Sequence, residues 1–252
     1  MIKMSMRRTL WRVKDWVRDI GRLAINHLTI TIEQAHPRLA EARIARRNAN
    51  AGKQLRTWHA NGCPVPPPRA FKQDTMRTLG RDNQIRVLVE TGTSSGEMVD
   101  SMLNAFDQIY TVELARPLHR LARRRFSHFP HVTCIPGDSG TEIAKLVPTL
   151  QQPALFWLDA HCSGGITALR AGKPVPVLEE LTAILADKRH QHVVAIDDAR
   201  LFGSDPAYPT LEEVRAHAQR MRRDISIECR NDIIFITPMD RQGGNASHYR
   251  VA

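Results

Sequence analysis

Five short apolar runs, at residues 87–89, 109–112, 132–135, 155–158 and 193–196, alternate with segments of helical period, and each is followed closely by an acid. Runs this short and this apolar suit strands buried on both faces, and a parallel strand needs a crossover that a helix can fill. The pattern therefore specifies consecutive βαβ units with right-handed connections. Further on, residues 225–229 and 233–237 form two more runs separated only by Arg230, Asn231 and Asp232. A connection that short makes a hairpin, so one strand must run antiparallel to its neighbours. The expected fold is α/β: a doubly wound, mostly parallel seven-stranded sheet ending in an antiparallel hairpin.

The segments between the runs carry helix signals. Ser139 with Glu142 and Thr210 with Glu213 fit the capping box, and Pro117 and Pro176 stand where a first helical turn tolerates proline. Leu118, Leu121, Ala122 and Phe126, then Val177, Leu178, Leu181 and Leu185, form stripes expected to pack on the sheet. A short helix over 71–79 should lead into the first strand.

Charge separates this body from what precedes it. Of 36 Lys and Arg and 26 acids, the first 60 residues hold 13 and 4, which leaves 23 and 22 for the remainder. From Met6 to about Gln34, Leu10, Val13, Val17, Ile20, Ala24 and Leu28 recur at helical spacing among basic residues, with Trp11 and Trp16 beside them. This basic amphipathic helix fits an anionic membrane surface, a nucleic-acid backbone, or packing on the body, a partner protein or a second copy of the chain. A second basic segment follows His36-Pro37 and runs to about Ala51, and the proline-rich stretch 61–68 reads as a linker. The expected organisation is a basic helical extension with linker over 1–65, an α/β domain over 66–238 and a disordered tail over 239–252. No apolar run reaches the roughly 18 residues of a membrane span. Cys63, Cys134, Cys162 and Cys229 have no zinc or disulfide spacing. A cytoplasmic protein is expected, with peripheral membrane contact through the N-terminal helix left open.

Ligands of such sheets bind beyond the carboxyl ends of the strands. There the chain delivers Glu90, Thr91, Gly92 and Gly96, then Glu113, then Gly137-Asp138-Ser139, then Asp159-Ala160-His161, then Asp197-Asp198. Acids at every strand end disfavour a phosphate ligand. The turn after the first strand, Gly92-Thr-Ser-Ser-Gly96, also has Ser94 where a dinucleotide loop needs glycine to approach a pyrophosphate. S-adenosylmethionine carries a sulfonium and an ammonium instead, and its ribose suits an acid about 20 residues on, which Glu113 supplies.

Glu90-Thr-Gly92-Thr-Ser-Ser-Gly96 resembles the E-x-G-x-x-x-G first motif of class I S-adenosylmethionine-dependent methyltransferases. The resemblance extends over about residues 70–238 and implies a Rossmann-like fold. It implies cofactor contacts at Glu90, Thr91, Gly92 and Gly96, at Glu113 for the ribose, and at Asp138 with Ser139 near the adenine. Asp159 with Asp197-Asp198 further resembles the metal site of macrocin-type sugar O-methyltransferases, which implies that these three carboxylates hold Mg²⁺ beside a small-molecule or sugar hydroxyl. His161 or Asp159 would take the hydroxyl proton. The loop 162–173, with Gly164, Gly165 and Gly172, has the length of a lid. Two other readings stand beside this one: an RNA methyltransferase gripping phosphates through its basic arm, ranked lower for want of an RNA-binding module or base-methylation motif, and a non-catalytic scaffold of the same fold.

Overall fold

The structure is a computed structural model, which describes residues 37–159 and 175–239 together with Gly21, Ile25 and Leu28. Most of the expected N-terminal helix, His161 with the loop around it, and the tail from residue 240 lie outside the described residues.

Seven strands form a single sheet: β1 (Val87–Thr91), β2 (Gln108–Glu113), β3 (Val132–Pro136), β4 (Ala154–Leu158), β5 (Val193–Ile196), β6 (Ile225–Arg230) and β7 (Ile233–Pro238). Their order is β3-β2-β1-β4-β5-β7-β6. All pairs from β3 to β5 are parallel, and β7 runs antiparallel to both β5 and β6. This is the Rossmann-like sheet with a reversed final strand, as the sequence pattern requires. The hairpin turn places Asn231 and Asp232 at φ of 48° and 65°, the two positive values of a type I′ turn, which asparagine and aspartate tolerate better than other side-chain-bearing residues.

Seven α-helices are described: α1 (Pro37–Ala60), α2 (Arg69–Asp82), α3 (Glu97–Met102), α4 (Arg116–Arg125), α5 (Ser139–Leu146), α6 (Val177–Ala186) and α7 (Leu211–Met221). They lie in two layers, and the alternation of side chains along each strand shows how. Val87, Val89, Phe156, Leu158, Val194 and Ile196 face α5, α6 and α7 through Ile143, Leu181, Ile184 and Val214. Leu88, Leu155, Trp157, Val193 and Ala195 face the other way, toward Trp58, Phe71, Met76, Leu79, Val99 and Phe126 on α1 to α4 and the chain just beyond α4. Burial on both sides explains why β1, β4 and β5 read as unbroken apolar runs.

Two local expectations are corrected. Ser139 is the first residue of α5, with Asp138 at the N-cap, and the Glu142 carboxylate accepts from Lys145 Nζ at 2.7 Å, so no capping box forms there. The Thr210–Glu213 box does form at the start of α7. Helix α1 runs on to Ala60 rather than stopping near Ala51, because Trp58 packs against Phe71 with ring centroids 4.5 Å apart and donates from Nε1 to Pro64 O at 2.7 Å. Among the described residues, no helix is long and apolar enough to cross a membrane.

Candidate active site

The strand order reverses direction between β1 and β4, since the chain winds outward from β1 to β3 and then returns to the other side. That crevice is where doubly wound sheets bind ligands. A cavity of about 160 Å³ lies there, lined by Glu90, Gly92, Thr93, Ser94, Trp157, Asp159 and Asp197 from the sheet and its following turns and by Arg69, Lys72, Gln73, Glu97 and Met98 of α2 and α3.

The turn after β1 is held by its neighbours. The amides of Gly92 and Thr93 donate to Val112 O at 2.9 and 3.4 Å, and the Gly96 amide donates to Thr93 O at 2.8 Å. Gly96 has φ of 75°, and a Cβ there would lie 2.8 Å from the Phe126 ring, so both backbone and packing require glycine. Arg125, from the end of α4, donates to Ser95 O at 2.7 Å and pairs with Asp100 at 3.1 Å. The turn is thereby fixed from outside the sheet.

Two carboxylates stand under this turn with neutral hydrogen-bond donors. Glu113 accepts from the Ser94 amide at Oε2 and from the Ala115 amide at Oε1, both at 2.8 Å. Burial pushes Glu113 above the ordinary carboxylate range against the pull of those amides. Glu90, 3% exposed, accepts from Thr111 Oγ1 at 2.6 Å. Burial raises Glu90 well above its ordinary value; the Thr111 bond opposes the rise, and the charges of Asp159 and Glu113 add to it. A cation arriving in the cavity would favour the ionised form of Glu90.

The other half of the crevice is built differently. The Asp159 amide donates to Thr91 O at 3.1 Å and the Asp197 amide to Leu158 O at 3.0 Å, which brings the ends of β1, β4 and β5 to one level. Lys72, from the first turn of α2, reaches across and donates to Asp197 Oδ2 at 2.5 Å, with Asp198 Oδ1 at 3.5 Å. Burial, the largest single influence, lowers the Lys72 pKa, but Asp197, Asp198 and Asp159 together outweigh it and hold the ammonium above its ordinary value. Burial holds Asp197 above the ordinary carboxylate range against the pull of the Lys72 ammonium at 2.5 Å, and the charge of Asp198 adds to the rise. Asp198 sits in the left-handed region at φ 57°, and its Oδ1 accepts from Arg200 at 2.7 Å. Arg200 is in turn paired with Asp232, which also accepts from the Arg200 amide at 2.7 Å.

Of the residues expected at the site, Glu90, Gly92, Asp159 and Asp197 border the cavity. Thr91 is buried within β1, Gly96 packs on Phe126, and Glu113 braces the turn. Asp138 and Ser139 stand at the start of α5, next to the end of β2, where the Gly137 amide donates to Glu113 O at 3.0 Å. The expected metal trio is not arranged as one: among the described residues no group of three His, Cys, Asp or Glu side chains is placed to hold a metal. Cations already stand at these carboxylates. A divalent ion there would have to share Asp197 and Asp198 with the Lys72 ammonium, which already neutralises part of the charge that would hold it.

Lys72, Arg125 and Asp232 escaped sequence reasoning as members of this network, whereas the pairing of Asp198 with Arg200, two residues on, is readable locally and forms at 2.7 Å. Lys72 and Asp197 are 125 residues apart, and no local pattern connects them. Of the three that escaped, only Asp232 gave a signal, as part of a turn.

No family model matches the chain, and no curated protein matches it. Among solved structures, the O-methyltransferase TomG from Streptomyces achromogenes, involved in tomaymycin synthesis and bound to S-adenosylmethionine, is 20% identical over 75% of this chain and 89% of its own, with a TM-score of 0.49. An O-methyltransferase from Bacillus cereus in complex with S-adenosylhomocysteine is 13% identical over 76% and 91%, at 0.48. An rRNA methylase from Streptococcus thermophilus is 15% identical over 70% and 99%, at 0.42. At such distances these likenesses assign neither cofactor nor acceptor; the fold stands on the chain's own strand order.

Proposed function

We propose that the chain is an S-adenosylmethionine-dependent methyltransferase that methylates a hydroxyl of a small molecule or sugar. The observation that carries this reading is Glu90, a buried carboxylate with a raised pKa in a cavity at the strand-order reversal, beside a glycine-bracketed turn. Four acids line that cavity, Glu90, Glu97, Asp159 and Asp197, against two bases, Arg69 and Lys72. Such a lining attracts a cationic ligand and repels a phosphate.

When bound, S-adenosylmethionine supplies a methyl group on a cationic sulfur. The chain's own contribution is alignment, which in a bimolecular displacement supplies much of the rate. Gly92 lets the backbone approach the ligand, Glu90 stabilises positive charge, and Trp157 provides an apolar floor. Glu113, held by two backbone amides, and Asp138 are assigned to the ribose and adenine by family resemblance. Asp159, and His161 two residues further along the chain, are the proposed acceptors of the hydroxyl proton. The Mg²⁺ expected at Asp159, Asp197 and Asp198 is not carried into this reading, since Lys72 lies among those carboxylates.

Calorimetry with S-adenosylmethionine tests the assignment. Saturable binding to the wild-type chain, weakened by Glu90→Gln, is expected; no binding to the wild-type chain sinks it.

A further inference from the structure

The geometry points to Lys72 as a built-in cation that occupies the metal position of the crevice, so that this chain takes up no divalent ion at Asp159, Asp197 and Asp198 and positions its acceptor oxygen with an ammonium instead. The role given to the acceptor rests on the methyltransferase reading; the exclusion of metal does not.

Several independent features support it. Lys72 is delivered by α2, outside the sheet, and its side chain is only 14% exposed, so it does not lie at Asp197 by surface chance. Helix α2 is itself fixed: Gln73, the next residue, donates to Glu97 O at 3.2 Å, Arg77 donates to Ser101 O at 3.3 Å, and Phe71 is buried against Trp58. The ammonium faces Asp197 at 2.5 Å and Asp198 at 3.5 Å, with the charge of Asp159 also acting on it. Asp198 is met in addition by Arg200 at 2.7 Å. Lys72 and Asp197 both border the cavity, so an oxygen seated there meets a compact charge with N–H donors, the part that a metal would otherwise play.

Manganese titration followed by electron paramagnetic resonance tests this on the full chain, with Lys72→Met, Lys72→Arg and the Lys72→Met/Asp197→Asn double variant. The wild-type chain and Lys72→Arg should show no saturable uptake. Lys72→Met should gain a site at least about tenfold tighter than any residual binding to the wild type, since the carboxylates lose their cation. The double variant should lose that site. Added Mn²⁺ should also raise the Tm of Lys72→Met and leave that of the wild type unchanged. Saturable Mn²⁺ binding to the wild type, which is readable even if Lys72→Met fails to fold, overturns the proposal. So does the absence of binding to both wild type and a folded Lys72→Met. S-adenosylmethionine calorimetry on the same preparations reads the methyltransferase assignment separately: a chain that binds neither cofactor nor manganese breaks that assignment and leaves the metal exclusion standing.

Discussion

The two halves of the crevice begin from the same material, acids at the ends of parallel strands, and settle it in opposite ways. On the β1–β2 side, Glu90 and Glu113 receive hydrogen bonds from a threonine hydroxyl and backbone amides, all neutral donors. On the β4–β5 side, Asp197 and Asp198 are met by Lys72 and Arg200. Neutral donors orient a carboxylate without cancelling its charge, whereas an ammonium or guanidinium does both. The first half is therefore the one built to attract a cation, and the second already holds its own. An acid at a strand end is thus not a function in itself; its partners decide.

Removing a cation from the second half should cost most. Lys72→Met leaves Asp197, 4% exposed, as a buried charge without its closest partner, and a loss of about 3–5 kcal/mol by denaturant titration is expected. A loss under about 1 kcal/mol, the scale of a solvent-exposed pair, would erase the contrast between the halves. In the first half, Glu113→Ala removes the acceptor of both the Ser94 and the Ala115 amides. If the loosened turn passes on to the ligand the worth of one such buried bond, about 1.5–3 kcal/mol, S-adenosylmethionine affinity should fall by about 10- to 100-fold in calorimetry.

Gly96→Ala combines a positive φ with a contact to Phe126, and a destabilisation of about 2 kcal/mol should appear in the same titration. Thr210→Ala, in the capping box of α7 and remote from both halves, should cost about 1 kcal/mol and leave cofactor binding unchanged.

The smallest effect is one of pH. Glu90 holds its proton in the folded chain at pH values where the unfolded chain has released it, so its contribution to stability is present at low pH and declines as pH rises through the folded value. Affinity for a sulfonium ligand should strengthen over the same rise. Glu90→Gln should flatten both profiles, and an unaltered pair of profiles would move the cation site elsewhere.

The strands were legible because burial on both faces writes each one locally as an apolar run, and the hairpin because three residues permit no other connection. Helix ends were less so. At α5 the residue before Ser139 takes the cap, and Glu142 turns to Lys145 instead of reaching back. At α1 the stop at Ala60 depends on a tertiary contact between Trp58 and Phe71 that no window around Ala51 contains. In the site, the acids were visible and so was the near neighbour Arg200, but the distant partner Lys72 was not. Asp197 and Asp198 read as twin ligands, yet a left-handed φ at Asp198 sends the second toward Arg200 and the hairpin turn, while the first faces Lys72.

The contact between Lys72 and Asp197 spans 125 residues, and Asp197 gains its place only when β5 has paired with β4. During synthesis, more than a hundred residues must therefore follow Lys72 out of the ribosome before its partner exists. A contact that waits for the fifth strand is expected to be absent from the folding transition state, which makes a low φ-value at Lys72 the outcome to test. Substitutions at Lys72 should accordingly quicken unfolding and leave the refolding rate nearly unaltered, which makes this lysine a latch on the lifetime of the native chain.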